Sequence, residues 1–252
     1  MSKFEGIVID ADSLIFECTE TRDNKANYFV NEEGYIDEAY KKPIKPFLIK
    51  FEAKVEEIKN EIFASRPGEF TKEVAVKICF SDPNGNFRYN LFPEYKACRS
   101  ADTRSKEFFR LRKKLLKKYG YTKGFEADDI VAHYVRDWGY LGASMDKDLW
   151  KGVPGTWFNT HFMHRHTFYT NPEEAKNWEL IQTLTGDAGD GIIGIKGIGE
   201  IKAAKLLDKY GWDFEGVIKG YEEHGRDRYD AILNRRLIGM DQYNGELNLF
   251  FI

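Results

Sequence analysis

The chain has 252 residues, with 38 Lys+Arg against 41 Asp+Glu and a formal net charge of −3. Its composition, 42% hydrophobic, 15% aromatic and 31% charged, excludes wholesale disorder and supports a large buried core in one or two domains. Apolar runs are only a few residues long, as at 247–252, so no membrane-spanning helix is expected. The start, MSKFEGIVID, carries no signal-peptide pattern. The widely spaced Cys18, Cys79 and Cys98 fit a reducing cytoplasm better than a disulfide scaffold or a Cys₄ zinc site.

In chain order, EGIVIDA at 5–11 predicts a buried strand that delivers Asp10 at its C-terminal end. Residues 20–46 are polar and irregular. From Pro46, the recurrence of Phe47, Phe51, Val55, Ile58 and Ile62 at spacings of three and four predicts an amphipathic helix, ended by Pro67 and Gly68. VAVKICF at 74–80 predicts a second strand, followed by Asp82. A loop at 83–104 precedes a basic amphipathic helix over 105–119, with Phe108, Leu111, Leu115 and Tyr119 on one side. A further helix over 126–138 opens with Glu126, Asp128 and Asp129, which suit a positive helix N-terminus.

A short strand at 142–145 leads into Asp146 and Asp148, and the aromatic stretch 157–170 has strand character. Helices are predicted over 178–184 and 200–210, separated by a Gly-rich segment at 186–199. The remainder is mostly helical, with a short strand at 247–252. Strands alternating with helices predict an α/β fold around a mostly parallel central sheet flanked by helices. Sites in such sheets lie at the C-terminal strand ends.

Charge is distributed unevenly. Residues 96–123 hold eleven Lys/Arg and two acids, net +9, which leaves −12 on the rest of the chain. A solvated helix face would carry such a run, but beside a carboxylate cluster it suits the handling of a polyanion. Asp10, Asp82, Glu126, Asp128, Asp129, Asp146, Asp148, Asp187 and Asp190 recur after strand-like runs or at helix starts. Converging carboxylates repel, and hard Mg²⁺ or Mn²⁺ ions relieve that repulsion. Alternate residues of an extended segment share a side, so Asp146 and Asp148 are expected to face the metals together. Two cations about 3.5–4 Å apart activate water and stabilise the leaving oxygen of a phosphodiester.

TGDAGDGIIGIKGIGEIKAAKLL begins at Thr185. Gly194, Gly197 and Gly199 permit tight turns before a helix whose N-terminal amides can hold a phosphate, and Lys196, Lys202 and Lys205 add charge. The GxGxxG match at 189–194 lacks a preceding strand and is not read as a dinucleotide site. HFMHRH, with His161, His164 and His166, matches no zinc spacing. Tyr95 and its aromatic neighbours Tyr89 and Phe92 lie beside the basic segment, where base stacking and core packing are both open.

VIDAD, FSD, FPEYKACR, FEADD, SMDKD and GDAGDGIIGIKGIGEIKAAKLL run in that order over most of the chain. Together they resemble the bacteriophage and bacterial 5′-nucleases, the flap endonucleases and 5′→3′ exonucleases, and among these most of all a phage exonuclease. The resemblance implies a PIN-like nuclease core over 1–175, with an arch-like basic segment at 96–125. It implies a helix–three-turn–helix DNA-binding subdomain over 176–252. One metal is implied at Asp10, Asp82, Glu126 and Asp128, and a second at Asp129, Asp146, Asp148, Asp187 and Asp190. Lys96 and Arg99 take catalytic roles, and Tyr95 stacks on the nucleotide. Arg104, Lys113 and Lys114 contact the strand, and the 194–199 turn grips duplex DNA, with K⁺ as a further ion there.

The implied activity is hydrolysis from 5′ ends or flaps, extending to RNA/DNA hybrids and RNA-primer removal, by a cytoplasmic monomer. Three features depart from the family. Ala11 and an extra acid, Asp12, follow the first Asp; Gly191 stands where Asn is usual; and 96–126 is short, which counts against a closed arch and strong flap preference. A PIN-like ribonuclease and a non-catalytic DNA-structure-binding protein are the alternatives.

Overall fold

The computed structural model describes residues 3–19, 43–98, 104–161, 163–243 and 245, with 71–73 by backbone alone. Much of 20–46, Arg99 and the expected strand at 247–252 lie outside the described residues.

The sheet is built from β1 (Phe4–Asp10), β2 (Phe70–Cys79), β3 (Leu141–Ser144), β4 (Gly155–Asn159) and β5 (Thr167–Thr170). Its order is β2-β1-β3-β4-β5. All pairings are parallel except β4 with β5. Alternation decides the faces of β1: Ile7 and Ile9 enter one core, Val8 the other.

The first core is closed by α1 (Asp12–Thr19), α2 (Lys45–Ser65) and, after the short α3 (Arg88–Leu91), by α4 (Lys106–Tyr119). Phe51, Ile58 and Ile62 of α2 are buried, as the spacing predicts. In α4, Ser105 caps the helix by accepting from the Phe108 amide at 3.1 Å. Phe108, Leu111 and Leu115 pack inward, leaving Lys113, Lys114, Lys117 and Lys118 exposed. The second core lies under α5 (Ala127–Trp138) and α6 (Lys147–Gly152), around Trp157.

A third core is helical: α7 (Pro172–Thr185), α8 (Glu200–Tyr210), α9 (Phe214–Glu223) and α10 (Arg228–Ile238) enclose Leu184, Ala203, Leu207, Val217 and Tyr221. Between α7 and α8, β6 (Gly186–Asp187) and β7 (Ile192–Ile193) form an antiparallel hairpin.

Two expectations are corrected. The helix expected over 178–184 begins at Pro172, because Asn171 accepts from the Glu174 amide at 2.8 Å while the Glu174 carboxylate takes the Asn171 N–H at 3.2 Å. The helix therefore runs through the division expected at 175/176. Asp146 to Asp148 is not extended but opens α6. Among the described residues no helix is long and apolar enough to cross a membrane.

Candidate active site

Parallel pairing brings the ends of β1, β2 and β3 to one edge. β1 aligns Asp10 with Cys79 and Ile9 with Ala143. Ser144 therefore neighbours Asp10 and donates to its Oδ2 at 3.1 Å. The same hydroxyl accepts from the Asp146 amide at 3.0 Å, and Asp146 Oδ1 accepts from the Asp148 amide at 2.8 Å. This N-cap, rather than strand alternation, brings Asp146 and Asp148 onto one wall.

That wall belongs to a cleft of about 1080 Å³. Eight of the nine expected carboxylates line it, all except Asp129, together with Tyr95 and Lys96. Its basic side carries Arg104 and Arg112. Arg104 lies over the rings of Phe108 and Phe109, at 4.7 and 5.6 Å from their centroids. Arg112 donates to the Ser81 carbonyl at 2.6 Å and stands 3.6 Å from Asp12, the extra acid.

The electrostatics are those of carboxylates short of counter-charge. Burial, reinforced by Asp12 and Asp146, pushes Asp10 up to about 7. Burial and the nearby Asp10, Asp146 and Glu126 push Asp128 well above the carboxylate range. Burial, then Asp146 and Asp187, raise Asp148 to about 6. Asp148 Oδ1 is buried without a hydrogen-bond partner. Glu126 goes the other way: burial opposes its ionisation, but Lys96 and Arg88 outweigh that and hold it below its usual value.

Lys96 is the sole non-glycine residue with positive φ, 58°, among the described residues. That conformation costs about 1–2 kcal/mol. Its amide is held by the Asp190 carbonyl at 2.7 Å, and its ammonium pairs with Glu126 and, at 3.6 Å, with Asp190.

An all-oxygen donor set, mutual repulsion and an orphaned buried carboxylate oxygen fit hard divalent cations. Among the described residues, no group of three or more His, Cys, Asp or Glu is already gathered as a metal site.

No family model matches the chain. Over 155 residues, 54% of the chain, it is 35% identical to DNA polymerase I of Rhizobium leguminosarum. Over 159 residues, 53% of the chain, it is 31% identical to a 5′-3′ exonuclease of Mycoplasma pneumoniae. These matches span 15% and 53% of the respective relatives. The fold matches a bacteriophage T5 flap endonuclease, solved as a pseudo-enzyme–product complex with DNA and metal ions, at TM-score 0.62 and 19% identity over 94% of this chain and 90% of that one. The chain is thus similar in sequence to these polymerase and exonuclease relatives and shares the fold of the T5 flap endonuclease.

Several residues stand differently from expectation. Asp129, expected as a metal ligand, is fully buried with both oxygens forked by Arg88 at 2.8 and 2.7 Å. Tyr95, expected to stack on a nucleotide, is 2% exposed and edge-on to Tyr89. Its hydroxyl lies 2.9 Å from both Glu126 Oε2 and Asp190 Oδ2, and its single proton serves one of them at a time. Asp82 lines the cleft but accepts from the Asn84 and Gly124 amides at 2.8 and 2.7 Å, so it also anchors the loop beneath α5. Asp187 similarly accepts from the Gly189 amide at 2.8 Å.

Gly194 is buried, and a Cβ there would sit 2.1 Å from the Thr185 carbonyl carbon. It serves hairpin packing, whereas Gly197, at φ +78° in open space, makes the exposed turn. Lys196, Gly197, Gly199, Lys202 and Lys205 are all exposed around the start of α8, outside the cleft lining. Lys202 donates to the Gly197 carbonyl at 2.8 Å.

The GxGxxG stretch supplies the turn and second strand of the β6–β7 hairpin, not a strand–helix phosphate loop. His161 and His164 stack at 5.4 Å between β4 and β5, away from the cleft lining. Arg88 and Arg112 carry no signal in the sequence. Nothing in NFRYN distinguishes a buried arginine from an exposed one, and Arg112 is one of many cations on α4.

Proposed function

We propose that the chain is a Mg²⁺-dependent 5′-nuclease, with Mn²⁺ able to substitute, that hydrolyses DNA from 5′ ends and leaves 5′-phosphates. The observation that carries this reading is the gathering of eight of the expected carboxylates, with Lys96, Arg104 and Arg112, in the lining of one cleft. The names of the relatives and the DNA and metal ions in the T5 complex support it.

Asp10, Asp82, Glu126 and Asp128 would hold one cation, and Asp146, Asp148, Asp187 and Asp190 a second. Bound cations would supply Lewis-acid activation of water and neutralise charge on the scissile phosphate. The Lys96 ammonium, fixed between Glu126 and Asp190, stabilises the charge that develops on the phosphoryl oxygens. Arg104 and Arg112 attract the backbone of the entering strand. Tyr95 keeps Glu126 and Asp190 in register rather than touching a base.

The helical cluster α7–α10 serves the duplex. The 194–199 turn and the first amides of α8 meet backbone phosphates, with Lys196 and Lys205 beside them. Since Lys202 already engages the Gly197 carbonyl, it supplies part of the positive charge a K⁺ ion would bring.

The test is incubation with Mg²⁺ of a blunt DNA duplex, a 5′-flap duplex and an RNA-primed duplex, with EDTA controls. Small 5′-terminal products from the blunt duplex are expected. Release of an intact flap would instead make the chain a threading endonuclease. Binding without cleavage would leave a DNA-structure-binding protein, and cleavage confined to RNA a PIN-like ribonuclease.

A further inference from the structure

We propose that Arg88 and Asp129 form a positioning pair that aims Glu126 and Asp128 into the cleft, by clamping the first turn of α5 to the end of α10. The proposal rests on the nuclease reading for what the aimed carboxylates do.

Both partners are shut away from solvent, Arg88 at 1% exposure and Asp129 at 0%. The guanidinium uses its full planar fork. Nη1 and Nη2 take the two Asp129 oxygens, Nε donates to the Leu237 carbonyl at 2.7 Å, and Nη2 reaches the Gly239 carbonyl at 3.3 Å. Leu237 is in α10 and Gly239 is its C-cap. On the other side, Asp129 Oδ2 accepts from the Glu126 amide at 3.0 Å, and Arg88 Nη1 stands 3.4 Å from Glu126 Oε2. Glu126 is thus held through its backbone by one member of the pair and through its carboxylate by the other.

Asp128 precedes Asp129 on the same helical turn, about 100° round the axis. Locking the direction of Asp129 therefore locks that of Asp128, which lies near Asp10 and Asp146. A buried ion pair is a poor source of stability but a good source of orientation, because the bidentate plane allows one arrangement. Residues that support metal ligands in this way typically change affinity 10–100-fold when altered.

The test is direct Mn²⁺ binding to the full chain by titration calorimetry without DNA, below the melting point of each variant. Asp129→Asn and Arg88→Lys are each expected to weaken Mn²⁺ binding about 10–100-fold. The double variant should bind no more weakly than the worse single one, since the pair acts as a unit. Loss with Asp129→Asn but wild-type binding with Arg88→Lys would make Asp129 a direct ligand and overturn the proposal. Wild-type binding in both would overturn it too.

Should Arg88→Lys not fold, a cycle of Asp129→Asn with Glu126→Gln decides. Non-additive losses support action through Glu126, and additive losses overturn it. A wild-type chain that binds no Mn²⁺ removes the nuclease reading and the proposal together, whereas failure of the variants alone leaves that reading intact.

Discussion

Lys96 concentrates the chemistry of the site in one side chain. Its strained backbone is tied to the Asp190 carbonyl, so the lysine loop and the GDAGD turn are set relative to each other before any substrate arrives. Lys96→Ala is expected to lower kcat roughly 10²–10³-fold, the cost of removing one preorganised charge donor, while DNA binding and melting temperature stay close to wild type. Single-turnover cleavage beside a binding assay checks this, and a matching loss of affinity would count against it. At this scale the acids were legible because they follow strand-like runs or open a helix. Their individual duties were not. Asp128 and Asp129 are adjacent letters, and only the helix azimuth and the buried Arg88 separate a carboxylate in the cleft from one in the wall. Tyr95 was ambiguous for a similar reason, since an aromatic ring gives no sign of whether its face will be open or packed.

The elements divide the labour between two basic surfaces. Helix α4 turns Phe108, Leu111 and Leu115 into the core and its lysines outward, while the turn before α8 and the first turns of α8 present Lys196, Lys202 and Lys205 outside the cleft lining. If the second surface grips a duplex backbone, converting those three lysines to Ala should reduce the slope of log K against log salt by about 0.9 for each phosphate no longer neutralised. Cleavage of bound substrate at saturation should change little. Fluorescence anisotropy across a salt series reads the slope, and an unchanged slope would remove these lysines from the DNA-binding surface. Apolar periodicity found α2, α4 and α8 almost to the residue. It under-read α7, whose start is set by the Asn171–Glu174 capping box rather than by a hydrophobic stripe, and it missed α6, a helix too short to show a period.

For the whole molecule, the sheet trades stability for a charged edge. Alternating strands and helices made a parallel sheet legible. The order β2-β1-β3-β4-β5 and the antiparallel β5 were not, since pairing is decided between segments far apart in sequence. The cost of the edge has a definite sign with pH. Asp10, raised to about 7, and Asp148, raised to about 6, hold protons in the folded chain that the unfolded chain releases near 3.8. Their contribution is complete below 3.8 and is lost as pH rises through 6 to 7. Metal-free protein should therefore melt at lower temperature at pH 8 than at pH 5. Glu179, which burial lifts to about 7, acts in the same direction. Mg²⁺ needs ionised carboxylates, so it should raise the melting temperature far more at pH 8 than at pH 5. Calorimetry in EDTA and in Mg²⁺ at the two pH values checks both statements. A Mg²⁺ effect independent of pH would contradict the assignment of these carboxylates.

The most direct test of the central claim is cleavage of a 5′-labelled blunt duplex in Mg²⁺ by the wild-type chain and by Asp146→Asn/Asp148→Asn, with duplex binding measured on both. The expected result is short 5′-phosphorylated products from the wild type, with turnover reduced by orders of magnitude and binding retained in the double variant. Turnover of the double variant within a few fold of wild type would contradict the account.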